Sequence, residues 1–370
     1  MAKSKGFKIR ILSDKQLTNK YPGSGKASNI AISEAHTLRL PCRNIPLNYQ
    51  LNGGIPYGNI LELFGEESTG KSLLAMDFSH CTQELGGEVI WADAENSFNL
   101  SWFNKNGINL DKLHLMTKQS AMEIISDWIL DTMISVRARL KNNEPILVVL
   151  DSLAAIRCLD EIGESQLDAK AKFGNRAKAI SDFLGNRNTL FANLGVCVIL
   201  INQLRRKIGA SQFEDPDKTV GGDATKFYAS QRLGLVRGKQ IKQKRKGIEI
   251  KVGQNIYCRT KKDKTGPPRS TTPTQVYFIG GKRNPVGFSK YFGLPELLVQ
   301  LGIIERKKGA SRYYYKDKML SNGEENLMDL LSTYHVLRKE LIYKSRINTI
   351  SQTKSKIQSI NKNLFPLKED

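Results

Sequence analysis

Short apolar runs and stretches with helical spacing alternate through the middle of the chain. Four runs are almost entirely apolar and are predicted as buried strands: Ile60–Phe64, Glu88–Ala92, Ile146–Leu150 and Val196–Ile201. Helical patterns lie between these runs, at Ser72–Leu85, around Trp102–Gly107 and at residues 165–194. Strands separated by helices favour parallel pairing, and strands that are apolar on both faces indicate a sheet covered on both sides. The pattern therefore predicts an α/β fold with a mostly parallel central sheet.

The pattern differs toward both ends of the chain. Residues 1–37 are polar and turn-rich, which predicts a short N-terminal arm that could serve oligomerisation. Residues 38–288 form the predicted core; its last part holds short β-rich runs, expected to extend the sheet with antiparallel strands and interrupted by a basic turn at Lys242–Gly247. Residues 289–346 return to helical spacing, which predicts a small α-rich C-terminal subdomain, and the polar residues 347–370 are predicted to be a mobile tail.

The charge of the chain is concentrated at these ends. The 370 residues carry 57 Lys and Arg against 36 Asp and Glu, a net charge of +21. Residues 1–40 hold 8 basic and 2 acidic residues, residues 41–236 hold 20 and 23, and residues 237–370 hold 29 and 11. Such an excess favours a polyanionic partner, with nucleic acid ahead of an anionic membrane, and a solvated basic surface is the alternative.

Membrane and disulfide-based classes are disfavoured by the sequence. No apolar run reaches the roughly 18 residues that a membrane span needs, and the basic N-terminus lacks the apolar stretch of a secretory signal. A cytoplasmic bacterial protein is expected, with a phage origin left open. The cysteines are odd in number and widely scattered, which predicts neither a disulfide framework nor a zinc site: Cys42, Cys81, Cys158, Cys197 and Cys258.

One segment matches a phosphate-binding motif at every fixed position. Residues 65–72 read GEESTGKS and satisfy GxxxxGK[ST] between an apolar strand and a helical pattern: Gly65, Glu66, Glu67, Ser68, Thr69, Gly70, Lys71 and Ser72. Backbone N–H groups of such a loop surround phosphate oxygens, while Lys71 would reach the β- and γ-phosphates and Ser72 would ligate Mg²⁺. The alternative is an ordinary tight turn between a strand and a helix. The motif predicts an ATP site.

Polar residues follow the neighbouring strands where a nucleotide would lie. Asp151 ends the apolar run 146–150, the position that holds the magnesium shell in P-loop proteins. Glu95 follows another strand and is a candidate base for the attacking water, with a solvated acid as the alternative. Gln203 follows the strand Val196–Ile201 and could hydrogen-bond a γ-phosphate; it leads into the basic, glycine-rich loop Leu204–Gly222. This order suggests that the state of the nucleotide controls contact with nucleic acid.

Several segments together resemble the RecA-family homologous recombinases. They are the P-loop, Asp93-Ala94-Glu95, NQLRRKI at 202–208 and VGGDATKFYASQRL at 220–233, and the likeness runs in order from about Leu38 to about Arg346. The resemblance implies a RecA-like P-loop ATPase core.

The resemblance assigns roles within the ATP site. It implies that Lys71, Ser72 and Asp151 contact phosphates and Mg²⁺, that Glu95 activates water and that Gln203 senses the γ-phosphate. Trp102 falls where the family places an aromatic ring over adenine, and an ordinary packed Trp is the alternative.

The family also completes its ATP site with groups from the neighbouring protomer of a filament. Lys262 and Lys264 resemble the lysine pair that a neighbour inserts at the γ-phosphate, which would make hydrolysis depend on assembly. Phe227 resembles the residue that links the nucleotide site to the next protomer.

Two groups of residues are implied to bind DNA. The second DNA-binding loop of the family corresponds to Arg205, Arg206, Lys207, Ile208, Gly221 and Gly222. The secondary site for duplex DNA corresponds to Arg237, Lys239, Lys242, Lys244 and Arg259, for which a solvated basic face is the alternative. Residues 160–166 occupy the place of the first loop, but they are acidic and are interpreted as a spacer between bases.

The chain is therefore expected to be an ATP-dependent DNA recombinase. It would form a helical homo-oligomeric filament on single-stranded DNA, pair this strand with homologous double-stranded DNA and exchange strands, in recombination and DNA repair, with ATP and Mg²⁺. Single-strand-binding and mediator proteins are further candidate partners, and no membrane is expected. Two alternatives stay open: a DNA motor of the same fold, such as a helicase or branch-migration ATPase, and a scaffold that coats DNA without strand exchange.

Overall fold

The computed structural model describes residues 13, 15–16, 19, 38–141, 143–162, 173–206, 217–219, 222–267, 269, 272–281, 285–307, 311–345, 349, 353–355 and 357. Most of the predicted N-terminal arm, residues 1–37, and most of the predicted tail lie outside these residues. Among the described residues, no helix combines the length and the apolar character that a bilayer crossing requires.

Fifteen strands form within the described residues. They are β1 (Arg39–Leu40), β2 (Ile55–Pro56), β3 (Ile60–Gly65), β4 (Glu88–Asp93), β5 (Leu113–Thr117), β6 (Ile146–Asp151), β7 (Val196–Arg206), β8 (Asp217–Thr219), β9 (Gln231–Arg245), β10 (Ile248–Asp263), β11 (Thr272–Tyr277), β12 (Gly287–Phe288), β13 (Glu305–Arg306), β14 (Arg312–Tyr315) and β15 (Lys318–Asn322).

The α-helices are α1 (Ile45–Gln50), α2 (Lys71–Glu84), α3 (Leu100–Lys105), α4 (Met122–Arg139), α5 (Phe173–Leu194), α6 (Gly222–Tyr228), α7 (Leu294–Gln300), α8 (Glu324–Thr333) and α9 (His335–Ser345). Short 3₁₀ turns cover Leu110–Lys112 and Leu159–Glu161.

A large mixed sheet organises the core. Its strand order is β12-β11-β10-β9-β3-β7-β6-β4-β5, and β8 pairs with the end of β7. The strands from β9 to β5 run parallel, whereas β10, β11 and β12 continue the sheet in antiparallel fashion. The predicted α/β class, the mostly parallel sheet and its antiparallel extension are confirmed.

Helices cover both faces of the parallel part of the sheet. Successive residues of β6 alternate between the two layers: Leu147 and Val149 pack with the P-loop helix α2, whereas Val148 and Leu150 pack with α4 and α5. This explains why the strand runs are apolar throughout, because neither face meets water. Strand β5 and helix α4 are present in addition to the predicted elements.

The antiparallel extension differs from its prediction. The short runs after Arg232 join into one long hairpin of β9, 15 residues, and β10, 16 residues. The chain reverses only at Lys246 and Gly247, whose φ angles are +50° and +82°. The predicted turn at Lys242–Gly247 is therefore too long, because Lys242 and Lys244 lie within the strand.

The C-terminal subdomain contains helices α7, α8 and α9, together with a three-stranded antiparallel sheet, β13-β14-β15, that was not predicted. Its small core joins Leu298, Tyr313, Leu327 and Leu341. Farther on, Thr353 is 1% exposed and its hydroxyl donates to the carbonyl of Arg39, and Ile357 packs in the core that contains residues of β3 and α2.

Candidate functional site

The P-loop connects the end of β3 to the start of α2. Gly70 precedes the helix with φ +88°, a left-handed conformation that a side chain would strain. A Cβ atom on Gly65 would lie 2.4 Å from the carbonyl oxygen of Leu235, so only glycine lets the loop approach β9 this closely. The structure thus requires glycine at both positions, as expected for a loop whose backbone N–H groups surround a phosphate.

Lys71 begins helix α2 and lies within the loop. Its Nζ donates to the carbonyl oxygens of Gly65, at 3.1 Å, and Glu66, at 2.7 Å. Burial lowers the pKa of Lys71, whereas the nearby carboxylate of Asp151 raises it. The ammonium group is therefore held beside the loop backbone, where it can contact a bound phosphate.

Two buried carboxylates lie at the ends of neighbouring strands. Asp93 and Asp151 are directly opposite each other on β4 and β6 and are 1% and 4% exposed. Burial raises the pKa of Asp151, and the hydrogen bond with Ser72 offsets part of this rise. The resulting pKa is about 7. Oxygen donors from a hydroxyl and carboxylates suit Mg²⁺, so Ser72 and Asp151 fit the ion that the motif predicts.

Glu95 is exposed and held by two hydrogen bonds. Its Oε1 accepts from the hydroxyl of Ser152 and, at 3.1 Å, from Nε2 of Gln203. The backbone carbonyl of Asp151 also accepts from the N–H of Ala94, at 2.8 Å, which fixes the turn that carries Glu95. The structure therefore brings together Glu95, Gln203 and Asp151 at one end of the parallel sheet, next to the P-loop.

A buried ionic group behind Gln203 was not identified from the sequence. Asn202 donates to Glu62 Oε1 at 2.9 Å, and Arg232 Nε donates to Glu62 Oε2. Glu62 and Asn202 are fully buried, and Arg232 is 8% exposed. The available signal was Glu62, the one charged residue within the apolar strand β3, since such a residue is rarely buried without a partner.

Trp102 lies in α3 and is half-buried at the edge of the core that contains α2. Its backbone N–H donates to Asn99 Oδ1 at 2.9 Å, which caps the helix. The backbone of Trp102 is thus held in place and its ring is partly exposed. This position agrees both with a contact to adenine and with ordinary packing.

Lys262, Lys264 and Phe227 lie together on another surface. Lys262 Nζ donates to the carbonyl oxygens of Lys226 and, at 3.2 Å, Phe227, and Lys264 Nζ lies 5.6 Å from the centre of the Phe227 ring. Burial and the charge of Lys264 lower the pKa of Lys262. The Phe227 side chain is 68% exposed.

This lysine surface lies at the opposite end of the sheet from the P-loop. The N–H of Lys264 donates to Ser230, whose own N–H donates to Ile60 at the start of β3. The P-loop begins at the other end of β3, at Gly65, roughly 16 Å away along the strand. The two lysines therefore lie on a different edge of the protomer from its own phosphate-binding loop.

Basic residues of the β9–β10 hairpin approach the P-loop from the side. Arg237 Nη2 lies 4.0 Å from Glu66 Oε2. A cavity of about 200 Å³ separates the loop from the hairpin and is lined by Glu66, Arg237, Arg259 and Lys261 among others. Lys239, Lys242 and Lys244 are exposed farther along β9.

The predicted DNA-binding loop is described only at its ends. Arg205 and Arg206 lie in β7, opposite Lys218 and Asp217 of β8, and Gly222 begins α6. Lys207, Ile208 and Gly221 lie outside the described residues, as do residues 163–166 of the predicted first loop.

Comparison with known proteins identifies the family. The model of the RecA N-terminal domain matches residues 20–282. A protein named Protein RecA from Chloroherpeton thalassium is 32% identical over 321 residues, which cover 85% of this chain and 82% of the relative. The chain belongs to the RecA family. Protein RecA of Legionella pneumophila is 31% identical over 86% of this chain and 85% of its own length, and that of Rippkaea orientalis is 30% identical over 83% and 82%.

Membership of the RecA family confirms the sequence-based expectation of a RecA-type recombinase. Formation of filaments and strand exchange are the general function of this family. Membership implies a DNA-dependent ATPase that uses ATP with Mg²⁺, binds DNA and assembles with copies of itself.

Proposed function

We propose that this RecA-family chain hydrolyses ATP at sites that two neighbouring protomers of a DNA-bound filament complete together. The observation that supports this proposal is that Lys264 and the P-loop lie at opposite ends of β3. One protomer therefore contains both the P-loop and the lysines but cannot bring its own lysines to its own P-loop. A neighbour stacked end to end can supply the lysines, as heterologous contacts generate a helix.

The residues at the P-loop would perform the chemistry as follows. Gly65–Ser72 surround the phosphates, and Lys71 contacts the β- and γ-phosphates. Mg²⁺ held by Ser72 and Asp151 would neutralise phosphate oxygens. Glu95 accepts a proton from the attacking water, whose oxygen bonds to the γ-phosphorus as the bond to the bridging oxygen of ADP breaks. The products are ADP and inorganic phosphate.

The lysine surface would act on the neighbouring protomer. Lys262 and Lys264 would place positive charge where the γ-phosphate gains negative charge in the transition state. The exposed Phe227 ring lies beside Lys264 and would pack in the same contact. Residues 1–37 are proposed to strengthen this contact as an oligomerisation arm.

Gln203 would connect nucleotide and DNA. It is hydrogen-bonded to Glu95, and its strand β7 continues directly into Arg205 and Arg206. A γ-phosphate that attracts the Gln203 amide would shift the start of the loop that carries Lys207, Ile208, Gly221 and Gly222. Single-stranded DNA would bind this loop, and duplex DNA would bind the exposed basic residues from Arg237 to Lys244 and Arg259.

The place of action follows from the substrate. We infer that the chain works in the cytoplasm of a bacterial cell, where DNA is present, and that single-strand-binding and mediator proteins share its single-stranded substrate. The domain limits 1–37, 38–288, 289–346 and 347–370 are part of the same proposal.

Strand exchange is tested by incubating the full chain with ATP, Mg²⁺, circular single-stranded DNA and homologous linear duplex. Joint molecules on a gel are expected, and heterologous duplex serves as the control. DNA-stimulated hydrolysis with directional unwinding but no joint molecules would favour a motor instead, and DNA binding without joint molecules or unwinding would favour a scaffold.

Completion of the site between protomers is tested by mixing two inactive variants. Lys71→Ala lacks the phosphate-binding lysine, and a Lys262→Ala/Lys264→Ala variant lacks the lysines supplied to the neighbour. Random co-assembly in equal amounts pairs an intact P-loop with intact lysines at about one quarter of the contacts. Recovery of DNA-dependent hydrolysis to about that fraction is expected, and no recovery in verified mixed filaments would contradict supply in trans.

A further inference from the structure

The segment that carries Lys264 lies just past the end of the large sheet. Strand β10 ends at Asp263, which lies opposite Gln231 in its last pair with β9. The N–H of Lys264 then donates to the carbonyl of Ser230 at 2.9 Å, and the chain leaves the strand. Strand pairing no longer orders the backbone at Thr265, so other contacts must fix the direction in which Lys264 leaves the surface.

The hydroxyl group of Thr265 uses its full hydrogen-bonding capacity. It donates to Asp263 Oδ1 at 2.6 Å, and it accepts from Arg39 Nη1 at 3.0 Å and from Gln231 Nε2 at 3.3 Å. A hydroxyl has one proton and two lone pairs, so these three partners fix its orientation. The N–H of Thr265 also donates to Asp263 Oδ1, at 2.8 Å. The residue that follows Lys264 is thus held by three side chains.

Arg39 connects Thr265 to a distant part of the chain. It lies in β1 between Leu38 and Leu40, which are both fully buried. Its Nη2 donates to the carbonyl of Thr265 at 2.9 Å, so the guanidinium holds both the carbonyl and the hydroxyl of that residue. Nη1 also lies 3.3 Å from the carbonyl of Gly54, to which it donates. A planar guanidinium serves several acceptors in a fixed fork, whereas an ammonium is a single point charge.

The two lysines have separate supports. Lys262 Nζ donates to the carbonyls of Lys226 and Phe227, so its end is held directly by α6. Lys264 is exposed, and its Nζ lies 5.6 Å from the centre of the Phe227 ring. The direction of Lys264 therefore depends on its backbone, which continues into Thr265. Asp263 attracts the positive charge of Arg39, so a third cation is tolerated beside the two lysines.

We propose that Arg39 is a positioning residue for ATP hydrolysis in the neighbouring protomer: by holding Thr265, it directs Lys264 toward the γ-phosphate bound there. The proposal rests on the proposed function, since it needs lysines that act across the contact between protomers. A displacement of about 1 Å in a group that acts on a transition state can cost about 100-fold in rate. Arg39 would act through the backbone of Lys264 and not on the phosphate itself.

The first experiment measures DNA-dependent ATP hydrolysis by full-length variants on single-stranded DNA. Arg39→Gln removes the guanidinium, Arg39→Lys keeps its charge without the fork, and Thr265→Val removes the hydroxyl. Thr265→Ser keeps the hydroxyl and is the control for Thr265→Val. Arg338→Gln is the control for Arg39→Gln, because Arg338 Nη1 likewise donates to backbone carbonyls, those of Leu331 and Ser332, each at 2.8 Å, in the C-terminal subdomain.

A misplaced lysine should slow hydrolysis without weakening the binding of ATP to a protomer's own P-loop. Arg39→Gln and Thr265→Val should lower kcat about 10- to 100-fold, and Arg39→Lys should fall with them. The affinity of the unassembled protein for ATP should equal that of the wild type, because the P-loop is unchanged. Thr265→Ser and Arg338→Gln should keep the wild-type kcat. Circular dichroism verifies folding; if Arg39→Gln fails to fold, Thr265→Val and Thr265→Ser make the same comparison.

The second experiment identifies which side of the contact is defective. Arg39→Gln mixed in equal amounts with Lys71→Ala should recover hydrolysis to about one quarter of the wild-type rate, because the Lys71 variant supplies correctly placed lysines to an intact P-loop. Arg39→Gln mixed with Lys262→Ala/Lys264→Ala should show no recovery, because neither variant supplies such lysines. A residue that merely stabilised the fold would not separate the two mixtures in this way.

Several results would overturn the proposal. They are a wild-type kcat in Arg39→Gln, Arg39→Lys or Thr265→Val, and an equal loss in Arg338→Gln or Thr265→Ser. Recovery with the double lysine variant would place the defect outside the lysine surface. So would a lack of recovery with Lys71→Ala while the reference mixture, Lys71→Ala with Lys262→Ala/Lys264→Ala, recovers. Failure of the proposed function is seen separately, because the reference mixture itself would then not recover, whatever the Arg39 variants do.

Discussion

The side-chain amide of Gln203 donates a hydrogen bond of 3.1 Å to the carboxylate of Glu95. The strand that leads to the predicted DNA-binding loop is thereby joined directly to the proposed base. An approaching γ-phosphate would compete with Glu95 for this amide, so binding of ATP would both free the base and move the strand end. Hydrolysis and DNA affinity are therefore expected to respond to the same hydrogen bond.

Replacing Glu95 by Gln should separate binding from turnover. The amide keeps the size of the side chain but cannot accept the proton of water, so the rate of DNA-dependent hydrolysis should fall about 10²- to 10⁴-fold. ATP binding and filament formation should remain, as measured by nucleotide fluorescence and electron microscopy. Glu84→Gln, at an exposed acid at the end of α2, is the control. Equal hydrolysis by Glu95→Gln and the wild type would exclude Glu95 as the base.

Replacing Gln203 by Ala should abolish the coupling of nucleotide to DNA affinity. The variant should still bind ATP, because Lys71 and the loop backbone are intact. Its affinity for single-stranded DNA should be similar with ADP and with a non-hydrolysable ATP analogue, whereas the wild type should bind more tightly with the analogue. Fluorescence anisotropy of labelled DNA gives both values. A variant that keeps the full wild-type ratio would contradict the role of Gln203 as a sensor.

The buried pair of Glu62 and Arg232 should be sensitive to loss of one partner. Arg232→Met leaves the Glu62 carboxylate buried without its cation, and the free energy of unfolding should fall by about 3–5 kcal/mol. The double variant Glu62→Leu/Arg232→Met should lose less, because no uncompensated charge remains. Urea unfolding followed by circular dichroism measures these differences. The single variant Glu62→Leu completes the comparison. If the loss of unfolding free energy in the double variant equalled the sum of the losses in Glu62→Leu and Arg232→Met, the two side chains would not interact energetically.

The C-terminal subdomain should lose stability as the pH rises. The pKa of Glu324 is raised from 4.5 to about 7. Burial is the largest cause, and the hydrogen bond with Glu296 is the second. Because the folded state then holds a proton that the unfolded state has released, stability falls between about pH 4.5 and pH 7 and stays lower above that range. Glu324→Gln should flatten this dependence and raise the melting temperature at pH 8. An unchanged pH profile would contradict the raised pKa.

Elements with a strong local signal could be predicted from the sequence. The P-loop strand and the strand ending at Asp151 are apolar runs bounded by polar residues, and a parallel sheet brings such ends together. Helix α4 has a signal of the same kind, because Met122, Ile125, Ile129, Met133 and Val136 are buried at helical spacing. These elements depend on residues close together along the chain.

Features set by solvent or by distant partners could not be predicted. The polar residues Lys242 and Lys244 predict a turn, yet this end of the β9–β10 hairpin is exposed to solvent, where a strand tolerates polar side chains. The partners Glu62 and Arg232 are neighbours only because β3 and β9 pair in one particular register. Such a register depends on the whole sheet and leaves no local pattern.

Asp263 lies between the two lysines that are proposed to reach the neighbour. Its carboxylate accepts hydrogen bonds from Asn52, at 2.9 Å, from Gln231, at 3.2 Å, and from the backbone N–H of Thr265, at 2.8 Å. The backbone that carries both lysines is thus ordered before two protomers meet. Association would then cost little conformational entropy at this point, which favours rapid and reversible growth at the end of a filament.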